Sequence, residues 1–326
     1  MTKIALLFPG QGSQTVGMGR DLYDHSPAAR AVFEEADEAL GFSLSKLCFE
    51  GPEDDLRLTE NTQPAILTVS VAATRVLSAA LAERDLAPAL AAGHSLGEYS
   101  AHVAAGTLSF ADAVRTVRNR GRYMQQAVPA GKGAMAAILG LPADRIAELC
   151  AQAAAEFPSE VVAPANLNSP DQTVISGDAA AVERAAELCK KAGAKRTVML
   201  AVSAPFHCAL MQPAQDKLMA ELEGVAFADP SFPIAANVDA RLVTGADDSR
   251  DCLVRQVTGG VRWVECIQLL AAQGATHFIE AGPGKVLNGL LRQIDRGLTA
   301  LNVEDSASLE KTIARLTETQ APVLTS

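Results

Sequence analysis

The sequence predicts an α/β fold in which helices cover both faces of a mainly parallel sheet and a smaller subdomain is inserted into the larger one. Three observations point there. Short apolar runs alternate with stretches of helical periodicity along most of the chain, the order that builds a parallel sheet with helices above and below it. One apolar run leads straight into Gly93-His94-Ser95-Leu96-Gly97 and then an Ala-rich helical stretch, the strand, sharp turn and helix of a nucleophile elbow. The middle of the chain changes rhythm to strand, helix, strand, strand, helix, strand within about 70 residues, the split-βαβ or ferredoxin-like order.

From the amino terminus, residues 3–8 read as a buried strand that ends at the glycine-rich turn Pro9-Gly10-Gln11-Gly12. Helical periodicity covers residues 28–39 and again 64–81. Residues 87–92 form the strand before Ser95, and the next helix starts at about Glu98. In the insertion, 133–139 read as a strand, 142–155 as a helix, and 161–166 and 173–176 as strands. A helix at 179–192, with Glu183, Glu187 and Lys190 on its solvent face, and a strand at 196–202 complete it. The α/β pattern resumes with a helix at 210–222, a strand at 234–237, helices at 250–256 and 261–273, and a strand at 276–280. Gly282-Pro283-Gly284 opens a final helix, and residues 320–326 read as a loose tail. The expected subdomains are therefore 1–130 with 201–326, and the insertion 131–200.

At 326 residues the chain exceeds the usual single-domain size, which suits a large domain carrying an insertion. Hydrophobic residues at 48% and charged residues at 20% give the balance of a globular enzyme with a substantial core. No apolar run approaches about 20 residues, so no membrane span is expected. The short apolar run at the amino terminus breaks at Pro9-Gly10 and reads as a strand rather than a signal peptide. Six scattered cysteines, Cys48, Cys150, Cys189, Cys208, Cys252 and Cys266, contain no CxxC pair. They argue for reduced, buried thiols in the cytosol and against a metal site. A net charge of −10 argues against nucleic-acid binding.

In the elbow, glycines at 93 and 97 remove Cβ atoms that would collide with neighbouring backbone, and the amide of Leu96 points at the reacting carbonyl. A serine nucleophile needs a base. Of the five histidines, His25 reads as surface, and His102 and His277 as packing. His94 adjoins Ser95, but its side chain should project away across the turn. His207 lies in Ser203-Ala204-Pro205-Phe206-His207, in the loop after the last strand of the insertion. Loops after strands are where α/β folds assemble their sites, so His207 leads among the candidates.

These motifs resemble a known family. Gly10-Gln11-Gly12-Ser13-Gln14, the run from Gly93 to Tyr99, Arg118-Asn119-Arg120-Gly121 and the run from Ser203 to Cys208 occur in the order and spacing of malonyl-CoA:acyl carrier protein transacylases. Asn61-Thr62-Gln63-Pro64, Ala165-Asn166-Leu167-Asn168-Ser169 and Glu280-Ala281-Gly282-Pro283-Gly284 extend the match over nearly the whole chain. The resemblance implies an α/β-hydrolase-like larger subdomain with the ferredoxin-like insertion. It assigns Ser95 as nucleophile and His207 as general base, with the Gln11 and Leu96 amides as oxyanion hole.

It also implies that a backbone carbonyl near Gln256 orients the histidine, in place of the carboxylate that hydrolases of related shape use; Asp112, Asp144, Asp171 and Asp178 all read as helix-entry or turn residues. Arg120 belongs by periodicity to a surface basic run, Arg115, Arg118, Arg120 and Arg122. The resemblance makes it instead the guanidinium that grips the free carboxylate of malonate. Phe206 would crowd an α-methyl group, and Asn166 is a candidate for the cleft between subdomains or for a strand-end turn. The implied substrates are malonyl-CoA and an acyl carrier protein, with no cofactor and a monomeric, cytoplasmic enzyme. An acidic carrier needs a local basic patch, for which Lys190, Lys191, Lys195 and Arg196 are the densest cluster, with Arg118, Arg122 and Lys285 as others. A serine hydrolase, an acyltransferase serving a polyketide pathway and a non-catalytic scaffold are the rival readings.

Overall fold

The computed structural model describes residues 2–129, 131–202 and 204–320. Ser203 of the histidine motif lies outside the described residues, as does the expected tail at 320–326 apart from Gln320, which ends a helix. The first strand, β1 (Ile4–Phe8), is buried along its whole length, as a central parallel strand must be. Four helices, α1 (Arg20–His25), α2 (Pro27–Leu40), α3 (Leu44–Glu50) and α4 (Glu53–Arg57), lead to the long α5 (Thr59–Ala82). Then follow β2 (Pro88–Gly93), α6 (Gly97–Ala104) and α7 (Phe110–Gln126). The inserted segment contains β3 (Gly133–Leu139), α8 (Ala143–Glu156), β4 (Val162–Ser169), β5 (Gln172–Asp178), α9 (Ala179–Lys191) and β6 (Arg196–Met199). The chain returns through α10 (Gln212–Glu223), β7 (Ile234–Ala236), β8 (Arg241–Val243), α11 (Ala246–Arg255) and α12 (Trp263–Ala272). It closes with β9 (His277–Ala281), α13 (Val286–Ile294), β10 (Thr299–Val303) and α14 (Ser306–Gln320).

The larger sheet runs β10-β9-β1-β2-β7-β8 and is parallel except for the β7–β8 hairpin at its edge. Alternation along β1 divides the core between the two faces. Ile4, Leu6 and Phe8 pack with α2, α5 and α7, while Ala5 and Leu7 pack with Trp263, Ile267 and Leu291 of α12 and α13. The second sheet runs β4-β5-β3-β6 and is antiparallel throughout, the strand order of a ferredoxin-like unit. Helices α8 and α9 cover one face through Ile146, Leu149, Val182 and Cys189. At its edge, β4 is tied to the larger subdomain: the Val261 amide donates to the Ala165 carbonyl at 2.7 Å and the Leu167 amide to the Val261 carbonyl at 2.9 Å.

Several expected boundaries shift for physical reasons. Helix α5 begins at Thr59, so Pro64 is inside it; the proline forfeits only the bond its missing amide would make to the Glu60 carbonyl. Its 24 residues have a mean hydropathy of 1.8 over the most apolar window, enough by length and composition to cross a membrane, yet it is packed inside the fold. Strand β4 continues to Ser169, which puts Asn166 within a strand rather than in a turn at its end. The helix after Gly284 is not the last, because β10 and α14 follow it. Strand β10 is a half-buried edge strand with little apolar contrast, and β8 spans only three residues, too short for periodicity to register.

Candidate active site

Strands β1 and β2 are parallel neighbours ending at Phe8 and Gly93, so the loops that follow open at one edge of the sheet, where α/β folds place ligands. Ser95 has φ of 52°, in the left-handed region, a conformation costing a residue with a Cβ about 1–2 kcal/mol. The positions two residues to either side must be glycine. A Cβ on Gly93 would stand 1.9 Å from the Gly97 carbonyl carbon, and one on Gly97 2.2 Å from the Phe8 carbonyl oxygen. The Ser95 amide donates to Asn237 Oδ1 at 2.8 Å, which anchors the turn. Among the described residues the Leu96 and Gln11 amides have no protein acceptor, and both residues line the cleft. They remain available to an oxyanion.

His207 also has a positive φ, 59°, and its Nε2 lies 2.7 Å from Ser95 Oγ. Its Nδ1 faces the Gln256 carbonyl oxygen at 2.9 Å and the Gly259 carbonyl oxygen at 3.0 Å. Two carbonyl acceptors keep a proton on Nδ1 and leave the Nε2 lone pair toward the hydroxyl. Burial first, and the Arg120 charge second, lower the His207 pKa from 6.5 to about 3. The imidazole is therefore neutral and able to accept a proton. His94 projects elsewhere, its Nε2 2.8 Å from Asn168 Oδ1 and its ring 5.4 Å from that of Trp263. His102 is buried, and His277 bonds the Thr276 hydroxyl at 3.0 Å through Nδ1.

Arg120 comes from the buried side of α7, on the stripe that carries Ala113, Val117 and Met124. It is 1% exposed. Its Nη1 donates to Gln63 Oε1 at 2.8 Å, and its Nη2 to Gln256 Oε1 at 3.0 Å and Ser95 Oγ at 3.1 Å. Among the described residues no carboxylate forms an ion pair with it, and its Nε has no partner. A buried cation held only by neutral oxygens is costly unless an anion joins it. The neighbouring Gly121 lets α7 sit against α5, since a Cβ there would be 2.6 Å from the Thr59 carbonyl oxygen.

The cleft has a volume of about 610 Å³. Ser95, His207 and Arg120 line it, together with Met135, Asn166, Val174 and Phe206. Lys190, Lys191, Lys195 and Arg196 are exposed at the end of α9 and the start of β6, outside the cleft walls. Of the other cations, Arg118 lies over the Phe42 ring at 4.2 Å, Arg122 pairs with Glu60 at 3.2 Å, and Lys285 pairs with Glu304 at 3.0 Å. All six cysteines are free and buried. No group of metal-ligating side chains occurs among the described residues.

Sequence reasoning missed four contributors. The Gln63 and Gln256 side chains hold Arg120. Asn237 anchors the Ser95 amide, and its own amide donates to Glu98 Oε2 at 2.9 Å. Glu98 is fully buried, which raises its pKa from 4.5 to about 7. Asn237 did carry a signal, being a polar residue at the carboxyl end of a strand beside the elbow strand.

The acyl transferase domain model matches residues 5–321. The malonyl CoA-acyl carrier protein transacylase of Bacillus subtilis is 49% identical over 318 residues, covering 98% of each chain. The solved malonyl CoA-acyl carrier protein transacylase of Coxiella burnetii superposes with a TM-score of 0.93 at 43% identity, over 97% of this chain and 98% of that one. A malonyl-transacylase solved in complex with a type II polyketide synthase acyl-carrier protein gives a TM-score of 0.91 at 47% identity, over 96% of this chain and all of that one. With that agreement in sequence, fold and length, the chain belongs to the acyl transferase family, among its malonyl CoA-acyl carrier protein transacylases.

Proposed function

We propose that the protein transfers a malonyl group from malonyl-CoA to the phosphopantetheine thiol of an acyl carrier protein through a malonyl-Ser95 ester. The observation that carries this reading is the Arg120 guanidinium, buried without a carboxylate and 3.1 Å from the hydroxyl that His207 can deprotonate. An acid-bearing acyl group would complete its pairing, whereas an acetyl group would leave it unpaired.

In the first half-reaction Ser95 Oγ attacks the thioester carbonyl as its proton passes to His207 Nε2. The Gln11 and Leu96 amides hold the oxyanion, the C–S bond breaks, and the coenzyme A thiolate leaves, taking the proton back from the imidazolium. In the second, His207 accepts the carrier thiol proton, the sulfur attacks the ester, and the Ser95 alkoxide leaves and is reprotonated. Carbonyl oxygens at Nδ1 stabilise the imidazolium less than a carboxylate would, which suits a thiolate leaving group that needs little proton assistance. Protein groups and thioesters carry every step, so the reading calls for no metal or redox cofactor. Phe206 would limit the space at the malonyl α-carbon, and Asn166 lines the same cleft.

The same reading makes the enzyme cytosolic and monomeric, and places the acidic carrier against the exposed Lys190, Lys191, Lys195 and Arg196. Fatty acid synthesis is the expected pathway. A polyketide pathway is the second reading, favoured by the likeness to the type II polyketide complex. Transfer and hydrolysis separate in one experiment: enzyme labelled with radioactive malonyl-CoA should keep its label until holo-carrier is added. Rapid release of free malonate without carrier contradicts transfer.

A further inference from the structure

Glu98 is the second residue of α6, directly beneath the elbow, and wholly buried. Its Oε2 accepts from Gln256 Nε2 at 2.8 Å and from the Asn237 amide at 2.9 Å. Gln256 Nε2 donates as well to the Ser95 carbonyl at 3.0 Å and lies 3.2 Å from Asn237 Oδ1. The other end of the Gln256 amide, Oε1, accepts from Arg120 Nη2 at 3.0 Å.

A primary amide has a donor end and an acceptor end of nearly the same shape, and its neighbours decide which way it faces. Glu98 Oε2 accepts from the donor end at 2.8 Å. Were the amide reversed, its NH₂ would confront the Arg120 guanidinium, donor against donor, and the cation would be pushed from its place. The main chain of Gln256 is held independently, its amide bonding to the Cys252 carbonyl at 2.9 Å as α11 ends. The carbonyl facing His207 therefore does not depend on how the side chain lies.

Resting on the clamp reading of Arg120, we propose that Glu98 is a positioning residue for substrate selection: it fixes the Gln256 amide with its oxygen toward Arg120, and thereby aims the guanidinium at the free carboxylate of the acyl group. Burying a carboxyl costs stability even with the Arg120 charge acting on it through space, and this role accounts for one at this position. The role differs from orienting His207, because the bonds between His207 and the main chain bypass the Gln256 side chain.

The test compares Glu98→Leu, which removes the acceptor, with Glu98→Gln, which keeps an acceptor oxygen in nearly the same shape. Acylation of Ser95 by malonyl-CoA and by acetyl-CoA is followed by rapid quench for both, for wild type and for Arg120→Met. Glu98→Leu should lower kcat/KM for malonyl-CoA about tenfold or more beyond whatever loss it causes with acetyl-CoA, the rate factor for ~1.4 kcal/mol. Glu98→Gln should recover to within about threefold of wild type. Equal losses with both thioesters, or a Glu98→Gln variant no better than Glu98→Leu, would overturn the proposal. Should Glu98→Leu not fold, Glu98→Asp draws the carboxyl back from Gln256 by one methylene; a malonyl-selective loss supports the role and a parallel loss overturns it. If Arg120→Met keeps the malonyl preference, the clamp reading fails and the proposal falls with it. If Arg120→Met loses that preference while Glu98→Leu keeps it, the proposal alone fails.

Discussion

Replacing Arg120 by methionine removes the charge while keeping an unbranched side chain of similar reach. The guanidinium is 1% exposed and is met by the Gln63, Gln256 and Ser95 side-chain oxygens at 2.8, 3.0 and 3.1 Å. A malonyl carboxylate would be its only anionic partner in the cleft, and losing one side of such a desolvated pair costs ~2–5 kcal/mol. At about 3 kcal/mol, kcat/KM for malonyl-CoA should fall roughly 150-fold. Acetyl-CoA brings no charge to pair, and in the wild type it leaves the cation unsatisfied, so its acylation rate should hold or rise. Two unpaired amide oxygens, on Gln63 and Gln256, would cost ~1–3 kcal/mol each. The desolvation of a cation is saved in return, so the variant should still fold. Stopped-flow acylation with both thioesters, with circular dichroism as the folding control, reads the result. Losses of equal size for malonyl and acetyl transfer would refute the clamp and reduce Arg120 to a structural residue.

The His207 pKa, lowered by burial and by the Arg120 charge to about 3, keeps the base neutral as pH falls through 6.5. Acylation kcat/KM with acetyl-CoA, which does not use the carboxylate clamp, should therefore stay flat down to about pH 5, and an acetyl profile that halves near pH 6.5 would contradict this. The stability sign is also fixed. A folded-state pKa below the unfolded one means that the unfolded chain binds more protons below pH 6.5, so His94, His102 and His207 all make the fold less stable as pH drops. Gly97→Ala sets a Cβ 2.2 Å from the Phe8 carbonyl oxygen and should lower stability by about 3 kcal/mol or more, measured by urea denaturation. Lys190→Glu with Lys191→Glu should raise KM for carrier about tenfold at low salt and less at high salt, with Ser95 acylation unchanged; an unaffected carrier KM removes the patch from consideration.

Ser95 was legible because an elbow writes its geometry locally: two glycines and a serine at a left-handed φ must lie within five consecutive positions. His207 was legible only as a loop residue after a strand, since its partner is far away in sequence and its orienting groups are main-chain carbonyls with no residue identity to read. Arg120 looked like one of a run of surface arginines, yet its spacing from Ala113, Val117 and Met124 places it on the buried stripe of α7. Gly121 beside it, required for the approach of α7 to α5, was the second clue. The Glu98–Gln256–Asn237 network left little local trace, because its members meet from α6, the end of α11 and the end of β7. The order of the insertion was clear from its alternation, whereas β8 and β10 carry too little apolar contrast to be seen.

The central claim is that Ser95 carries the malonyl group between two thiols. Intact-protein mass spectrometry after exposure to malonyl-CoA, followed by peptide mapping, tests it directly. The account predicts a gain of one malonyl group on Ser95, its loss on adding holo-carrier with malonyl appearing on the carrier thiol, and no gain in Ser95→Ala. Malonyl transfer by Ser95→Ala at the wild-type rate, or an adduct on another residue, would contradict it.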